Sequence, residues 1–128
     1  MKNYNPTTEN QNHVNSIRDE LEKIYNGEVM PDDYNERIAD GEEPDDIEPL
    51  TLWDYFNDVY NIEYRVDSKH ADSINSVEIM VACGGPNIYI DTGDRKVKLY
   101  WWTEYAEAEI SREVCDAIND IFDELWNC

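Results

Sequence analysis

The sequence predicts an α+β fold in which helices pack on one face of an antiparallel sheet of about four strands. Three observations predict it. Apolar residues recur at helical spacing towards both ends of the chain, they alternate with polar residues between positions 61 and 103, and short turn-forming segments separate the alternating stretches. Such short connections favour a meander, in which consecutive strands lie side by side.

The first predicted element is an N-terminal helix that begins at Thr8, after a polar and frayed terminus at residues 1–7. Gly27 is placed to end this helix, because glycine suits the position just after a last helical turn. The apolar side chains that share one side of the helix are Val14, Ile17, Leu21, Ile24 and Tyr25.

Residues 27–50 are predicted to form an irregular acidic loop region. Prolines and glycines interrupt it and leave room for one helical turn near residues 33–39. Thr51 then suits a helix N-cap, with Asp54 at the third helical position as in a capping box. A short middle helix is expected there, and its inward side chains would be Leu52, Phe56 and Val59.

Strands are predicted from four segments with alternating polarity, NIEYRVD, SVEIMVAC, NIYID and KVKLYWWT. Turns are expected at residues 84–86 and 92–94, which are rich in glycine, proline and aspartate. One face of this sheet should be covered by the helices. The other face is expected to present Tyr89, Lys98, Tyr100 and Trp102.

The C-terminal helix has the clearest pattern. Ser111 suits its N-cap, and Ile110 is placed to pack on Cys115. The side chains expected to be buried against the sheet are Val114, Ala117, Ile118, Ile121 and Leu125.

Length and composition indicate one folded domain over residues 1–128. The chain is 41% hydrophobic and 12% aromatic, which is unlike a disordered acidic tail. Its 30 acidic residues outnumber 10 basic ones and give a formal net charge of −20. That charge opposes direct binding to nucleic acid or to an anionic membrane, and it favours a basic partner or a cation. A halophilic source is the alternative explanation.

Cysteine usage predicts a reduced protein. The three cysteines are an odd number without CxxC spacing, which argues against a disulfide scaffold or a zinc site, and Cys83 and Cys115 are expected to be buried free thiols. No signal-peptide pattern follows Met1, and no apolar stretch is long enough to span a membrane. A cytoplasmic location is therefore expected.

Patterns for catalysis or cofactor binding are weak, so we expect no enzyme activity, no cofactor and no metal site. Only His13 and His70 are available for a triad or a metal site, and no phosphate-binding or calcium-binding loop keeps its required spacing. The tripeptide DTG at residues 91–93 also occurs in aspartic proteases, where two such carboxyl groups share a proton. A hairpin turn accounts for the same three residues.

The carboxylates of the C-terminal helix form a candidate binding surface. They recur at i, i+3, i+7, i+10 and i+11, on the side away from the apolar stripe, and neighbours stand about 5–6 Å apart. The row resembles the phosphates of a nucleic-acid strand, which are spaced about 3.4 Å along the axis. Its members are Glu113, Asp116, Asp120, Asp123 and Glu124.

Two further acidic segments are predicted to enlarge this surface. Glu104, Glu107 and Glu109 precede the helix and would extend the row, and the loop at residues 40–48 would add a second one. The alternative is an ordinary solvated outer face of an amphipathic helix.

The stretches VACGGPNIYIDT, VKLYWWTEYAEAEI and VCDAINDIFDELW, in roughly the C-terminal third of the chain, resemble small acidic proteins of bacterial phages and mobile elements. That class contains antirestriction and anti-CRISPR inhibitors. The resemblance implies a nucleic-acid mimic that inhibits a defence nuclease in the host cytoplasm by occupying its DNA-binding cleft. The implied partner is a basic nucleic-acid-binding protein such as a restriction nuclease or Cas9, whose DNA channel is positively charged.

A second hypothesis is a protein–protein interaction or adaptor module that does not imitate nucleic acid. It would bind through the aromatic face of the sheet, with Tyr100 and Trp102 as anchors. The oligomeric state does not follow from the sequence under either hypothesis.

Overall fold

The computed structural model describes residues 7–67 and 70–126 and has the predicted α+β architecture. Of the terminus predicted to be frayed, residues 1–6 lie outside the described ranges, and Thr7 caps the first helix by accepting a hydrogen bond from the Asn10 N–H at 3.1 Å. In chain order the elements are α1 (Thr8–Tyr25), α2 (Tyr34–Ala39), α3 (Leu52–Tyr55), β1 (Asn61–Asp67), β2 (His70–Ala82), β3 (Asn87–Asp91), β4 (Lys96–Trp101), β5 (Glu104–Glu109) and α4 (Arg112–Trp126).

The sheet is an antiparallel meander in the order β1-β2-β3-β4-β5, as predicted. The sequence indicated about four strands, and the additional strand is β5. Its sequence, EYAEAE, has residues that are uncommon in strands. It forms because it pairs along its length with β4, where Leu99 lies opposite Ala106 and Val97 lies opposite Ala108. Tertiary pairing therefore overrides local propensity in β5.

One face of the sheet, here called the inner face, is covered by two helices. α1 lies over β4 and β5, and α4 lies over β2. Burying each large apolar side chain at such a contact stabilises the fold by about 1.5–3 kcal/mol. The fully buried side chains between helices and sheet include Val14, Leu21, Val77, Ile79, Ile88, Ile90, Val97, Leu99, Val114, Ile118 and Phe122.

The short elements between α1 and β1 follow the prediction. The helical turn expected at residues 33–39 is α2, and α3 begins with the predicted capping box. The Asp54 N–H donates to Thr51 Oγ1 at 3.3 Å, and the Thr51 N–H donates to Asp54 Oδ2 at 2.9 Å. Leu52 and Phe56 are buried as expected.

The buried side of α4 differs in part from the prediction. Leu125, expected to be buried, is 39% exposed, whereas Cys115 and Phe122 are buried. The physical reason is aromatic packing, because the Phe122 ring lies 5.6 Å from the Phe56 ring and 6.3 Å from the Tyr64 ring, measured between centroids. This packing orients α4 so that Leu125 stays at the edge of the core.

The two described cysteines are both free thiols but lie in different environments. Cys115 is buried, and its burial raises its pKa to about 11. Cys83 was expected to be buried and is exposed, because β2 ends at Ala82 and Cys83 enters the following turn.

Hydrogen bonds fix α4 at its start and near its middle. At its start, Glu22 of α1 accepts from the backbone N–H of Ser111 at 3.1 Å and from its hydroxyl at 3.2 Å. Ser111 is also the predicted N-cap, and its Oγ accepts from the Val114 N–H at 3.3 Å. Further along, Asn119 Oδ1 accepts from the hydroxyl of Thr92 at 2.7 Å. α4 is therefore held against both α1 and the sheet.

The outer face of the sheet, opposite the helices, is organised by one buried aspartate. Asp91, at the end of β3, is 1% exposed. Arg65 of β1 donates to its two carboxylate oxygens at 2.9 and 3.1 Å, and Lys98 of β4 donates to it at 3.1 Å. The backbone N–H groups of Gly93 and Asp94 donate to Oδ1 at 2.9 and 3.1 Å. One carboxylate thus links three strands and shapes the turn after β3.

These contacts keep Asp91 ionised. Burial by itself raises the pKa of Asp91, but the hydrogen bonds from two cations and a backbone N–H outweigh burial and lower the pKa well below its ordinary value of 3.8. The neighbouring Glu78 shifts in the opposite direction, because burial and the charge of Asp91 raise its pKa.

Each residue of the DTG tripeptide has a structural role in this turn. Asp91 binds the two cations, and the hydroxyl of Thr92 bonds to β2 and to α4. A β-carbon at Gly93 would lie 2.9 Å from Arg65 Nη1 and 3.0 Å from Ser76 Oγ, so only glycine fits without displacing them. The contacts agree with the hairpin-turn interpretation of the tripeptide.

Asp91→Asn is expected to lower the free energy of unfolding by about 2–4 kcal/mol near neutral pH, because Arg65 and Lys98 lose a buried counter-charge. Since the folded pKa of Asp91 is depressed, its stabilisation is complete above the ordinary value of 3.8 and is lost as the pH falls towards the folded pKa. The difference between the variant and the natural protein, measured by urea unfolding, should therefore shrink below that pH.

Asp94→Asn is the matched control for this prediction. Asp94 is an exposed partner of Lys98, so its replacement should cost less than about 1 kcal/mol. Equal losses for the two variants, or a loss in Asp91→Asn that does not change with pH, would contradict the central role of Asp91.

Candidate protein-binding surfaces

α4 has a row of exposed carboxylates on the side that faces away from the sheet. The row, here called the α4 acidic face, consists of Glu113, Asp116, Asp120 and Glu124. Within residues 7–67 and 70–126, no Lys or Arg side chain makes an ion pair with any of the four. The like charges of this face therefore repel one another without local compensation.

Asp123, the remaining carboxylate of the predicted helical row, has a structural contact. Its Oδ1 accepts from the backbone N–H of Ile74 in β2 at 3.0 Å, and its side chain is half-buried. It follows Asn119 by one helical turn, and both side chains bond to the sheet. Asp123 thus serves to hold α4 and lies at the edge of the α4 acidic face.

The β5 glutamates do not continue the α4 acidic face. Glu104 lies on the inner side, where a side-chain amide of α1 donates to it at 3.4 Å. Glu107 and Glu109 lie on the outer face, because side chains alternate along a strand. Lys96 donates to Glu107 at 3.0 Å and Tyr105 donates at 2.7 Å. Burial raises the pKa of Glu107, but these two bonds outweigh it and lower that pKa.

Three of the described cations lie on the outer face, and four others, Arg18, Lys23, Arg37 and Arg112, lie on helices. Arg65, Lys96 and Lys98 form their ion pairs with carboxylates of the outer face. The α4 acidic face lies on the other side of the sheet, where it forms the solvent-exposed side of α4. The continuous row predicted from residue 104 to residue 124 is divided between these two sides.

A groove runs along α4 beside its carboxylates. It has a volume of about 750 Å³ and lies between the end of α1, residues 48–53 and α4. Glu48 and Asp120 line it from two different walls, so the loop predicted to add a second acidic row meets the α4 acidic face here. Ile47, which is 3% exposed, anchors that loop in the fold.

The groove is lined mainly by apolar side chains. A smaller hollow of about 220 Å³ adjoins it, shares Trp53 and Ile121 with it and reaches Leu125. Trp53 is 47% exposed and Tyr25 is 45% exposed. The sequence did not indicate this groove, because the helical spacing of Ile121 and Leu125 predicted both side chains in the buried stripe. The other apolar lining residues are Ile24, Pro49, Leu50, Leu52, Ala117, Phe56 and Phe122.

A third surface, the tyrosine row, lies on the outer face. Tyr89, Tyr100 and Tyr105 are neighbours on β3, β4 and β5, with ring centroids 5.9 and 4.9 Å apart. The segment KLYWW is divided by the sheet, because Tyr100 faces outward whereas Trp101 packs against the core. Trp102 lies in the β4–β5 turn, is 87% exposed, and has a φ of 57°, a backbone conformation that favours glycine.

Among the described side chains, no group of three or more histidines, cysteines, aspartates or glutamates is arranged to hold a metal ion. Over the same part of the chain, no helix combines the length and apolar character needed to cross a membrane. The three surfaces offer a partner negative charge, apolar contact and aromatic rings.

Replacing Asp123 by Ala should lower the free energy of unfolding by about 1 kcal/mol more than replacing Asp120 by Ala, because only Asp123 bonds to a backbone N–H of the sheet. Asp120→Ala relieves like-charge repulsion on α4 and should be neutral or stabilising by a few tenths of a kcal/mol. The two variants remove the same charge from the same helix, so urea unfolding compares them directly. Equal stabilities would show that the Ile74 contact contributes nothing.

Comparison with protein-family models, with curated proteins and with solved structures finds no match to this chain. The geometry and charge of these surfaces are therefore the basis for inferring a function.

Proposed function

We propose that this protein inhibits a bacterial defence nuclease, of the kind targeted by anti-CRISPR or antirestriction proteins, by presenting the α4 acidic face to its DNA-binding cleft. The inhibitor performs no covalent chemistry. Its partner is a basic nucleic-acid-binding protein such as Cas9 or a restriction nuclease, and it acts in the cytoplasm of the bacterial host.

The observation that supports this proposal is the row of exposed carboxylates along α4. The members of the α4 acidic face follow one another along the helix and have no ion-pair partner within the described ranges. On the outer face, by contrast, Arg65, Lys96 and Lys98 form ion pairs with four carboxylates. Glu48 adds charge across the groove.

A nuclease cleft recognises this surface by the physics it uses for DNA. The lysines and arginines of the cleft attract anions, and small anions from the solution associate with these side chains when DNA is absent. A row of carboxylates displaces these small ions, so association gains free energy from ion release and weakens as salt increases. The β-carbons of helix residues three or four apart stand about 5–6 Å from one another, somewhat more than the axial rise of about 3.4 Å between phosphates of one strand. The carboxylates thus compete with the DNA backbone for the same cations.

Reversing two charges of the α4 acidic face tests the proposal. Asp116→Lys combined with Asp120→Lys should weaken inhibition about tenfold or more, because repulsion replaces attraction at the centre of the contact. The measurement is plasmid cleavage by guide-loaded Cas9 and by a panel of restriction nucleases, at two salt concentrations, with duplex DNA as competitor.

Glu63→Lys combined with Glu109→Lys is the matched control. Both residues are exposed on the outer face. This variant therefore has the same net charge as the Asp116→Lys, Asp120→Lys variant but keeps the α4 acidic face intact. It should inhibit nearly as well as the natural protein. If the two variants weaken inhibition equally, then total charge acts and no specific surface is involved. If added duplex DNA does not reduce inhibition, the protein does not compete for the DNA-binding cleft, and mimicry is contradicted.

A second candidate function is supported by the conformation of Trp102. A large, exposed side chain at a positive φ is unfavourable by about 1–2 kcal/mol, and such strained residues concentrate at binding sites. Under this proposal the protein is an interaction or adaptor module that binds its partner through Trp102 and the tyrosine row.

Trp102→Gly separates this function from folding. Glycine suits the observed φ, so the free energy of unfolding should stay within about 1 kcal/mol of the natural value. Tyr100→Ala removes an exposed ring of the tyrosine row. Under the second proposal both variants lose partner binding, and that binding responds little to salt. Full nuclease inhibition by both variants would contradict the second proposal and favour the first.

A further inference from the structure

We propose that the groove along α4 binds a basic amphipathic helix of a partner protein, with the apolar side of that helix in the groove and its lysines or arginines on the surrounding carboxylates. The inference rests on the proposed function in one respect, the basic character of the partner. It adds an apolar contact that nucleic-acid mimicry does not include.

The groove is large enough and apolar enough for a protein side chain. Its main part measures about 750 Å³, within the range of about 300–1,000 Å³ that is typical of ligand sites. Trp53 and Tyr25 expose nearly half of their surface at its rim. Large rings that are left half-exposed beside a hollow are typical anchors of protein interfaces.

The groove is also elongated along α4. Its two parts share Trp53 and Ile121, and together they extend from Ala117 to Leu125. Eight residues of α-helix span about 12 Å, so the groove matches two turns of an occupying helix. An amphipathic helix places apolar side chains at i, i+3, i+4 and i+7 over that distance, which is the usual pattern for a helix in a groove.

Charge decides between the possible occupants. Glu48 and Asp120 line the groove, and Asp116 and Glu124 of the α4 acidic face lie beside it on the same helix. No Lys or Arg of the described residues lines either part. A nucleic acid or an anionic membrane would be repelled by these carboxylates. A second copy of this chain, with its own net charge of −20, would be repelled as well.

A strand is a poorer occupant than a helix. The walls of the groove are the end of α1, residues 48–53 and α4, and none of these is a sheet edge. An added strand would therefore have no open backbone ladder to pair with, whereas a helix satisfies its own backbone and contributes only side chains. A basic amphipathic helix fits both the shape and the charge.

The experiment uses the full chain and a synthetic peptide of about 18 residues, long enough to form a helix on binding. The peptide has leucines at i, i+3, i+4 and i+7 and lysines or arginines elsewhere. A permuted peptide of the same composition lacks the apolar side, and an analogue with glutamates for lysines lacks the charge. Titration calorimetry measures affinity, and amide NMR shifts locate the contact.

The natural protein should bind the amphipathic basic peptide at least tenfold more tightly than either control peptide, with shifts at Ile121 and Trp53. Trp53→Ala should weaken this binding at least tenfold. Trp102→Ala is the matched control, because it removes an equally large and more exposed ring that lies in the β4–β5 turn and lines neither part of the groove, so binding should be unchanged. Circular dichroism and thermal unfolding establish that both variants are folded.

Three outcomes would overturn the inference. The first two are equal affinity for the amphipathic and permuted peptides, and equal weakening of peptide binding by Trp53→Ala and Trp102→Ala. The third is dimerisation of the chain that Trp53→Ala abolishes, because a second copy would then occupy the groove. The peptide experiment and the nuclease experiment can fail independently of each other. Peptide binding without inhibition of any nuclease supports the groove and contradicts the proposed function. The opposite result is a protein that binds no peptide but inhibits a nuclease, and that loses this inhibition in the Asp116→Lys, Asp120→Lys variant. That result contradicts the groove proposal and leaves the proposed function intact.

Discussion

The architecture depends on a buried carboxylate that joins three strands. Asp91 accepts hydrogen bonds from Arg65 on β1, from Lys98 on β4 and from the turn that follows β3. A charged group in this position would be unfavourable without such partners, because it has lost its contact with water. The pairing therefore fixes the register of the strands at the outer face, and it holds Arg65 and Lys98 on that face.

That constraint has a consequence for the opposite side of the molecule. Arg65 and Lys98 are committed to Asp91, and Lys96 is committed to Glu107, so these cations are not available to the helices. The ion pairs of Arg18 and Arg37 also lie away from α4, so the α4 acidic face keeps its negative charge. The candidate binding surface therefore consists of carboxylates that no Lys or Arg of the described residues pairs with.

Strong local signals made the overall fold predictable. The alternation around Val77 and Ile79, the capping box at Thr51 and the N-cap at Ser111 all fall where the sequence indicated them. Strand β5 was harder to predict because its partner strand stabilises it. The groove was not predictable, because it joins α1, residues 48–53 and α4, which are distant in sequence. Leu125 has the spacing of a buried residue, and only the packing of Phe122 shows that it is exposed.

The hydrogen bonds of Ser111 and Asn119 bear on the energetics of any encounter. They hold α4 in position in the isolated protein, so a partner does not have to order this helix on arrival. The crowding of carboxylates along α4 is likewise already present in the unbound state. Under the proposed function, an incoming cation would relieve that internal repulsion as well as form its own contact, so part of the free energy of association would come from the strain already stored in the unbound helix.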